Sequence, residues 1–372
     1  MTQQPTRFSI VIPTLNAAKT IGACLESLLS QNYPDRFEVL VVDGLSKDGT
    51  PEIVSRYLHD SRVRLLCNPG KITPKAFNIG VKAARGEVIM TVGAHWRLPP
   101  DFLCAIERAF ANFPEASCLG GRIIREVGSR QGEAIECARR SLLGGGLSLR
   151  NYCQQEMLVD VDNIAYIWRR KVFEAVGLFD ETLAKNQDNE FNMRTRKAGF
   201  KTLYSPNVYF YYRAPDTYRR LFKQMYGYAR YTPLIIAKHG PTRIHFALPT
   251  LMLLIWLSSF GFALLGTWSL LPFAGLTIAY LLGLTLFAVL SAIRDRLSCV
   301  HLVLAAYVII HLAVALGFAD GVVDWAAAGR YQKRARSTIG QAGSPGQPKI
   351  SPGERNLHER SLKIRPTDET IP

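Results

Sequence analysis

The seven cysteines of this 372-residue chain are widely scattered, and no two form a CxxC pair. That excludes a small fold stapled by disulfides; the thiols read as reduced, in a cytosolic setting. The chain also lacks the composition of a disordered polymer, being 48% hydrophobic and only 20% charged. It has no internal repeat. It lacks a secretory signal as well: residues 1–7 are polar, and the first apolar run, Phe8–Pro13, is too short for an h-region. The N-terminal module is therefore expected to stay on the side where it is made. The most consequential absence lies further on. From Phe246 to Ile293 there are 48 residues without one Asp, Glu, Lys or Arg. A membrane span takes about 20 apolar residues, so this run predicts two helices, with the turn near Gly266–Ser269 and Pro272. A second uncharged run, Leu297–Ala319, predicts a third. A buried core helix of a soluble domain does not run this far without charge.

Acidic residues are scarce too: 30 Asp+Glu stand against 45 Lys+Arg, a net charge of +15 with a pI near 9.6. Such a balance invites a nucleic-acid partner, so its location matters. Residues 213–243 hold seven Lys or Arg (among them Arg219, Arg220, Lys223 and Arg230) against Asp216 alone, interleaved with Tyr and Phe. This segment runs directly into the first apolar span. It reads as an interfacial helix at lipid headgroups and not as a nucleic-acid surface. The chain thus divides into an N-terminal module at 1–212, a basic-aromatic segment at 213–245, a transmembrane module at 246–325 and a disordered basic tail at 326–372. Arg294 and Arg296 place the loop after the second span in the cytoplasm. Three spans would then put the C-terminus outside, yet the tail opens with Arg330, Lys333, Arg334 and Arg336, a cytoplasmic signature. A re-entrant third segment and an overridden charge rule both stay open.

Residues 1–210 alternate between strand and helix patterns. Phe8–Pro13, Glu38–Val42, Val63–Leu66 and Glu87–Val92 read as strands; helical spacing follows at Ile21–Leu29, Pro74–Ala84 and Pro100–Phe110. Such alternation predicts an α/β fold with a parallel, doubly wound, Rossmann-like sheet, which binds ligands at the carboxyl ends of its strands. Three polar turns sit there: Pro13-Thr14-Leu15-Asn16, Asp43 through Thr50, and Gly93-Ala94-His95. Asp43 follows a buried strand directly, where a carboxylate needs a partner; a base or ribose would suit. Taken singly, Asp-Gly is an ordinary turn and Ser-x-Asp-Gly-Thr an ordinary helix start.

In combination they are more specific. The order SIVIPTLNAAKTIGACLESLLSQ, VVDGLSKDGT, NIGVKAARGEVIMTVGAH and FDETLAKNQDNEFNMRTRKAG, continuing into FKQMYGYAR, resembles family 2 glycosyltransferases of the GT-A fold, in particular the succinoglycan-type exopolysaccharide glucosyltransferases. The likeness spans roughly residues 8–235. It implies that Asp43 contacts the uracil or ribose of a sugar nucleotide, with Thr14, Asn16 and Asp48 in the same nucleotide-sugar-binding set. It implies that His95 is the last residue of the metal motif, that Asp188 is the catalytic base, and that Arg194 follows it facing the pocket. Gln224 and Arg230 match a segment that closes over the diphosphate. The implied cofactor is a divalent cation, Mn2+ or Mg2+. The implied partners are a UDP-sugar donor, a lipid-linked glycan acceptor, the membrane and other exopolysaccharide assembly proteins.

Two positions depart from the pattern. Gly93 stands where the family has the first Asp of its metal motif, and Gln187 where it has Glu before the base. QMYGYAR lacks the Gln-x-x-Arg-Trp of processive synthases, which implies single additions. The expected activity is inverting transfer of a sugar, glucose from UDP-glucose, to a polyprenyl-diphosphate-linked glycan at the cytoplasmic face of the inner membrane. The alternatives are a non-catalytic scaffold of an exopolysaccharide assembly and a transferase that charges polyprenyl phosphate itself.

Overall fold

A computed structural model of the chain describes residues 6–144, 153–241, 244–266 and 269–341. The described residues fall into two compact units that meet between Asp216 and Thr217.

The first unit is built on β1 (Phe8–Thr14), β2 (Phe37–Asp43), β3 (Val63–Cys67) and β4 (Val88–Thr91). These four pair in parallel in the order β3-β2-β1-β4. The Val, Ile and Leu runs of β1, β2 and β4 are buried on both faces, as a parallel sheet covered by helices requires, while β3 at the end of the order is only partly buried. Helices α1 (Ile21–Leu29), α2 (Thr50–Ser55) and α3 (Thr73–Ala83) connect them. α1 buries Ile21, Cys24, Leu25 and Leu28, the stripe that its spacing predicts. α3 starts with Pro74 in its first turn and lays Gly80 against Val11, where a Cβ would collide with the valine.

Beyond β4 the sheet is not parallel throughout, which corrects the expectation of a wholly parallel sheet. β5 (Trp96–Arg97), α4 (Phe102–Asn112), β6 (Ala116–Glu126), α5 (Arg130–Arg139), β7 (Met157–Val159), β8 (Ile167–Arg169), α6 (Arg170–Val176), α7 (Gln187–Lys197) and β9 (Lys201–Arg213) follow. The nine-stranded sheet runs β3-β2-β1-β4-β8-β6-β9-β5, with β7 on β9. β8 enters antiparallel between β4 and β6, while β6 and β9 pair in parallel. Regular strand–helix alternation ends near residue 110, and three-residue strands leave too little pattern to reveal their direction.

The second unit holds α8 (Tyr218–His239), a short 3-10 turn (Ile244–Ala247), α9 (Leu248–Leu264), α10 (Leu271–Arg294) and α11 (Val300–Gln341). Three segments are long and apolar enough to cross a membrane: His245–Leu264, Leu271–Arg294 and Val300–Ala327. α11 continues to Gln341, so residues 326–341 are helical, contrary to a tail disordered from 326. Ala326, Ala327, Ala328, Arg330, Gln332, Lys333 and Arg334 are good helix formers, and they extend a helix already nucleated. Residues 342–372 lie outside the described residues, as do Arg243 and the Thr267-Trp268 part of the expected turn.

Candidate active site

Parallel register sets the first part of the site. Thr14 and Asp43 are cross-strand partners at the carboxyl ends of β1 and β2. Asp43 is buried, yet its carboxylate is satisfied from within the chain. Oδ1 accepts from Thr14 Oγ1 at 3.2 Å and Ser46 Oγ at 2.6 Å, and Oδ2 accepts from the Ser46 backbone N–H at 2.9 Å. The partner that a buried Asp43 was expected to need is thus supplied by the turn itself, and a nucleotide would add to it.

Asn16 and Asp48 lash the same two loops together. Asn16 sits in the left-handed region at φ 52°, which Asn tolerates better than most residues. Its backbone N–H donates to Ser46 Oγ at 2.8 Å, and its Oδ1 accepts from the Lys47 N–H at 3.0 Å. Asp48 Oδ2 accepts from the Ala18 N–H at 3.0 Å, and Oδ1 accepts from Thr50 Oγ1 at 2.6 Å. Partial burial works against the Asp48 charge, but the hydrogen bonds from Thr50 and Ala18 outweigh it and lower its pKa. Asp48 is thus a brace of the loop. Ser46 is the residue that the sequence reading missed; a serine inside a turn carries no pattern that separates it from solvent-facing ones.

The turn after β4 carries His95. Its ring meets Tyr212 edge-on at 5.1 Å between centroids. Desolvation and then the charge of Lys185 push its pKa down to about 4, although solvent still reaches the exposed residue. The imidazole is therefore neutral at pH 7 and able to ligate. It offers one ligand, however, and no group of three His, Cys, Asp or Glu that could hold an ion occurs among the described residues. This donor set does not fit a resident metal ion. At Gly93 a Cβ would lie 2.7 Å from Trp96 Nε1 and 3.0 Å from His95 Cε1. Trp96 is itself stacked on Phe210 at 3.6 Å and 9°. The indole occupies the room that an acidic side chain at 93 would take.

Asp188 is exposed in the first turn of α7. Its carboxylate makes no hydrogen bond or ion pair among the described residues. α7 is fixed from below: Trp168 Nε1 donates to Asn192 Oδ1 at 3.0 Å, and Asn192 Nδ2 donates to the carbonyls of Asp162 and Ala165. Asn78 clamps the preceding loop, accepting from the Phe179 N–H and donating to its carbonyl, each at 2.9 Å. Directly before Asp188, the Gln187 Oε1 atom is buried with no hydrogen-bond partner.

Arg194 does not face an open pocket. Nε and Nη2 donate to the two oxygens of Glu190, and Nη1 and Nη2 donate to the carbonyls of Val176 and Leu178. One turn of helix separates Arg194 from Glu190, so the pair forms locally, and the implied pocket role is corrected to a latch. Arg230, in the second unit, donates from Nε to Asp324 Oδ2 at 2.8 Å, so this side chain too already has an anionic partner within the chain. Gln224 lies half-buried on α8. The spacing Gly317-Phe318-Ala319-Asp320-Gly321 was a readable sign of close helix packing and leads to Asp320 and Asp324. Surface depressions of about 530 and 510 Å³ flank Tyr209 and Tyr211, and neither is lined by Asp43, His95 or Asp188.

Residues 9–177 match the profile of glycosyl transferase family 2. Over 328 residues the chain is 30% identical to succinoglycan biosynthesis protein ExoA of Rhizobium meliloti (strain 1021), covering 85% of this chain and 95% of the relative. Over 323 residues it is 26% identical to the dolichyl N-acetyl-alpha-D-glucosaminyl phosphate 3-beta-D-2,3-diacetamido-2,3-dideoxy-beta-D-glucuronosyltransferase of Methanococcus voltae, covering 85% and 97%. Among solved structures, mannosyltransferase PcManGT from Pyrobaculum calidifontis, in complex with GDP-Man and Mn2+, matches with a TM-score of 0.54 at 18% identity, covering 85% of this chain and 88% of that one. At that identity the likeness concerns the fold.

Proposed function

Because the chain belongs to glycosyl transferase family 2 and carries its GT-A fold, we propose that it transfers glucose from UDP-glucose, with inversion, to a polyprenyl-diphosphate-linked glycan in exopolysaccharide biosynthesis. The observation that carries this reading is the Asp188 carboxylate, exposed and without a partner at the start of a helix anchored through Asn192. A sugar hydroxyl is a weak nucleophile and needs a base within hydrogen-bond reach. In the proposed step the acceptor hydroxyl attacks the anomeric carbon opposite the UDP. The new C–O bond forms as the bond to the diphosphate breaks, and the hydroxyl proton passes to Asp188. The transition state is oxocarbenium-like, as in glycoside hydrolysis.

The strand-end turns supply the donor side. Thr14, Asn16, Asp43 and Ser46 form a shelf whose hydrogen bonds are already made, on which the uracil and ribose would rest. A divalent cation, Mn2+ or Mg2+, would accompany the donor's diphosphate and neutralise its charge. The lipid-linked acceptor is supported by the relative that acts on a dolichyl-linked sugar phosphate and by the apolar helices, which suit a protein of the inner membrane with its first unit in the cytoplasm.

The test is UDP release by the detergent-purified protein given UDP-glucose, Mn2+ and a lipid-linked glycan acceptor. Asp188→Asn should lower turnover roughly 100-fold or more, the range for losing a general base. Equal turnover by the variant, or no release above background by the native chain, would sink the proposal.

A further inference from the structure

The second unit contains three apolar helices, but α11 is unlike the other two. α9 exposes apolar side chains on every side, among them Leu251, Met252, Leu254, Ile255 and Leu257, as a helix bathed in lipid does. α11 instead exposes fewer, mainly along one stripe, Val308, Leu312, Leu316, Val322 and Val323, with Trp325 exposed off it, and buries Val303, Tyr307, Ile310 and Val314. Much of its cover is α8. Tyr218 Oη donates to the Leu302 carbonyl at 2.9 Å. Tyr226 meets Asp320, and Arg230 meets Asp324. A Cβ on Gly317 or Gly321 would collide with the backbone of Tyr226 or Arg230. The matched four-residue steps from Tyr226 to Arg230 and from Asp320 to Asp324 show that the two helices run in the same direction there. The contacts extend over about 33 Å of α11, from Leu302 to Asp324, and over about 18 Å of α8, from Tyr218 to Arg230, at 1.5 Å per residue. The stretch of α11 is close to the whole hydrocarbon thickness of a bilayer, about 30 Å.

α8 cannot share a hydrocarbon environment over that length. Arg219, Lys223 and Lys238 are exposed on it, near both of its ends. Charges of this kind are expelled from a bilayer core. A helix in continuous contact with α8 is therefore held at the water boundary too. α10 supports the same geometry. Ser291 bonds Tyr307 and Tyr280 bonds His311. These contacts span about 16 Å of α10 but only about 6 Å of α11, so the two axes cross widely.

We infer that α11 does not cross the membrane. It lies in the headgroup plane beside α8, with the Val308–Leu312–Leu316–Val323 stripe turned to the lipid, and among the described residues the α9–α10 hairpin is the part that crosses. This rests on reading the chain as membrane-bound. It resolves the conflict between three apolar runs and a basic C-terminal segment. Arg294, Arg296, Arg330, Lys333, Arg334 and Arg336 then all fall on one side of the membrane, and the hairpin tip on the other, from Gly266 to Leu271, has no Lys or Arg.

The test uses the full chain in sealed vesicles with the cytoplasmic face outward, carrying epitope tags at the N-terminus, at the C-terminus and between Ser269 and Leu270. Added protease should remove both terminal tags and leave the tip tag intact until detergent is added. Protection of the C-terminal tag while the N-terminal tag is lost means three crossings and overturns the inference. Loss of all three tags means that the hairpin does not cross, which also overturns it. Recovery of the chain in a carbonate wash would instead remove the membrane-bound reading itself. A chain tagged only at its termini repeats the decisive comparison if the insertion disturbs folding.

Discussion

Arg194 donates from all three guanidinium nitrogens, and its partner Glu190 is only 3% exposed. Removing the arginine leaves a buried carboxylate and two carbonyls without their donors. Arg194 itself is 25% exposed, so the loss should fall between the roughly 0–1 kcal/mol of a surface pair and the roughly 3–5 kcal/mol of a buried one, about 2 kcal/mol. Arg194→Ala should lower the thermal midpoint of the detergent-solubilised protein by several degrees, and Arg194→Lys should not restore it, because one ammonium cannot reach all three partners. An unchanged midpoint would refute the latch. Gly93 and Trp96 are coupled in a different way. Gly93→Asp alone would press on an indole held against Phe210, so a test of whether an acid there raises activity needs Trp96 reduced at the same time.

At the scale of elements, the four parallel strands were legible as short apolar runs bounded by polar turns, and α1, α3 and α4 by their 3.6-residue period. So were the strand-end turns, since a polar residue after a buried strand is conspicuous. What the turns do was less so. Asp43 was readable as a carboxylate in need of a partner, but the partner, Ser46, was not. The α8–α11 pairing was hidden for another reason. Its polar contacts join residues 84 and 94 positions apart, and no local pattern encodes such pairs. The Gly317/Gly321 spacing is its only local trace. Gly321→Leu should force α8 and α11 apart and strand Asp324 beside them. Overpacking of this kind costs roughly 1–3 kcal/mol. The expected outcome is a lower thermal midpoint that Gly321→Ala only partly reproduces; equal midpoints for Leu, Ala and Gly would show that the contact is slack.

At the scale of the molecule, the main hydrophobic core, from Phe8 to Phe210, belongs wholly to the first unit. Residues 1–216 expressed alone should therefore stay soluble and unfold cooperatively on heating, followed by circular dichroism; a broad, non-cooperative melt would mean that the core needs the second unit. The pairing of α8 with α11 has a consequence for how the chain is made. Ribosomes add roughly 5–20 residues per second, so about 5–19 seconds separate the synthesis of Arg230 from that of Asp324. During that interval α8 is complete and its partner does not yet exist. The first unit can be folded and the hairpin inserted while the groove of α8 waits for α11, so a polypeptide interrupted before Gly317 would carry an intact sheet and an unclosed second unit.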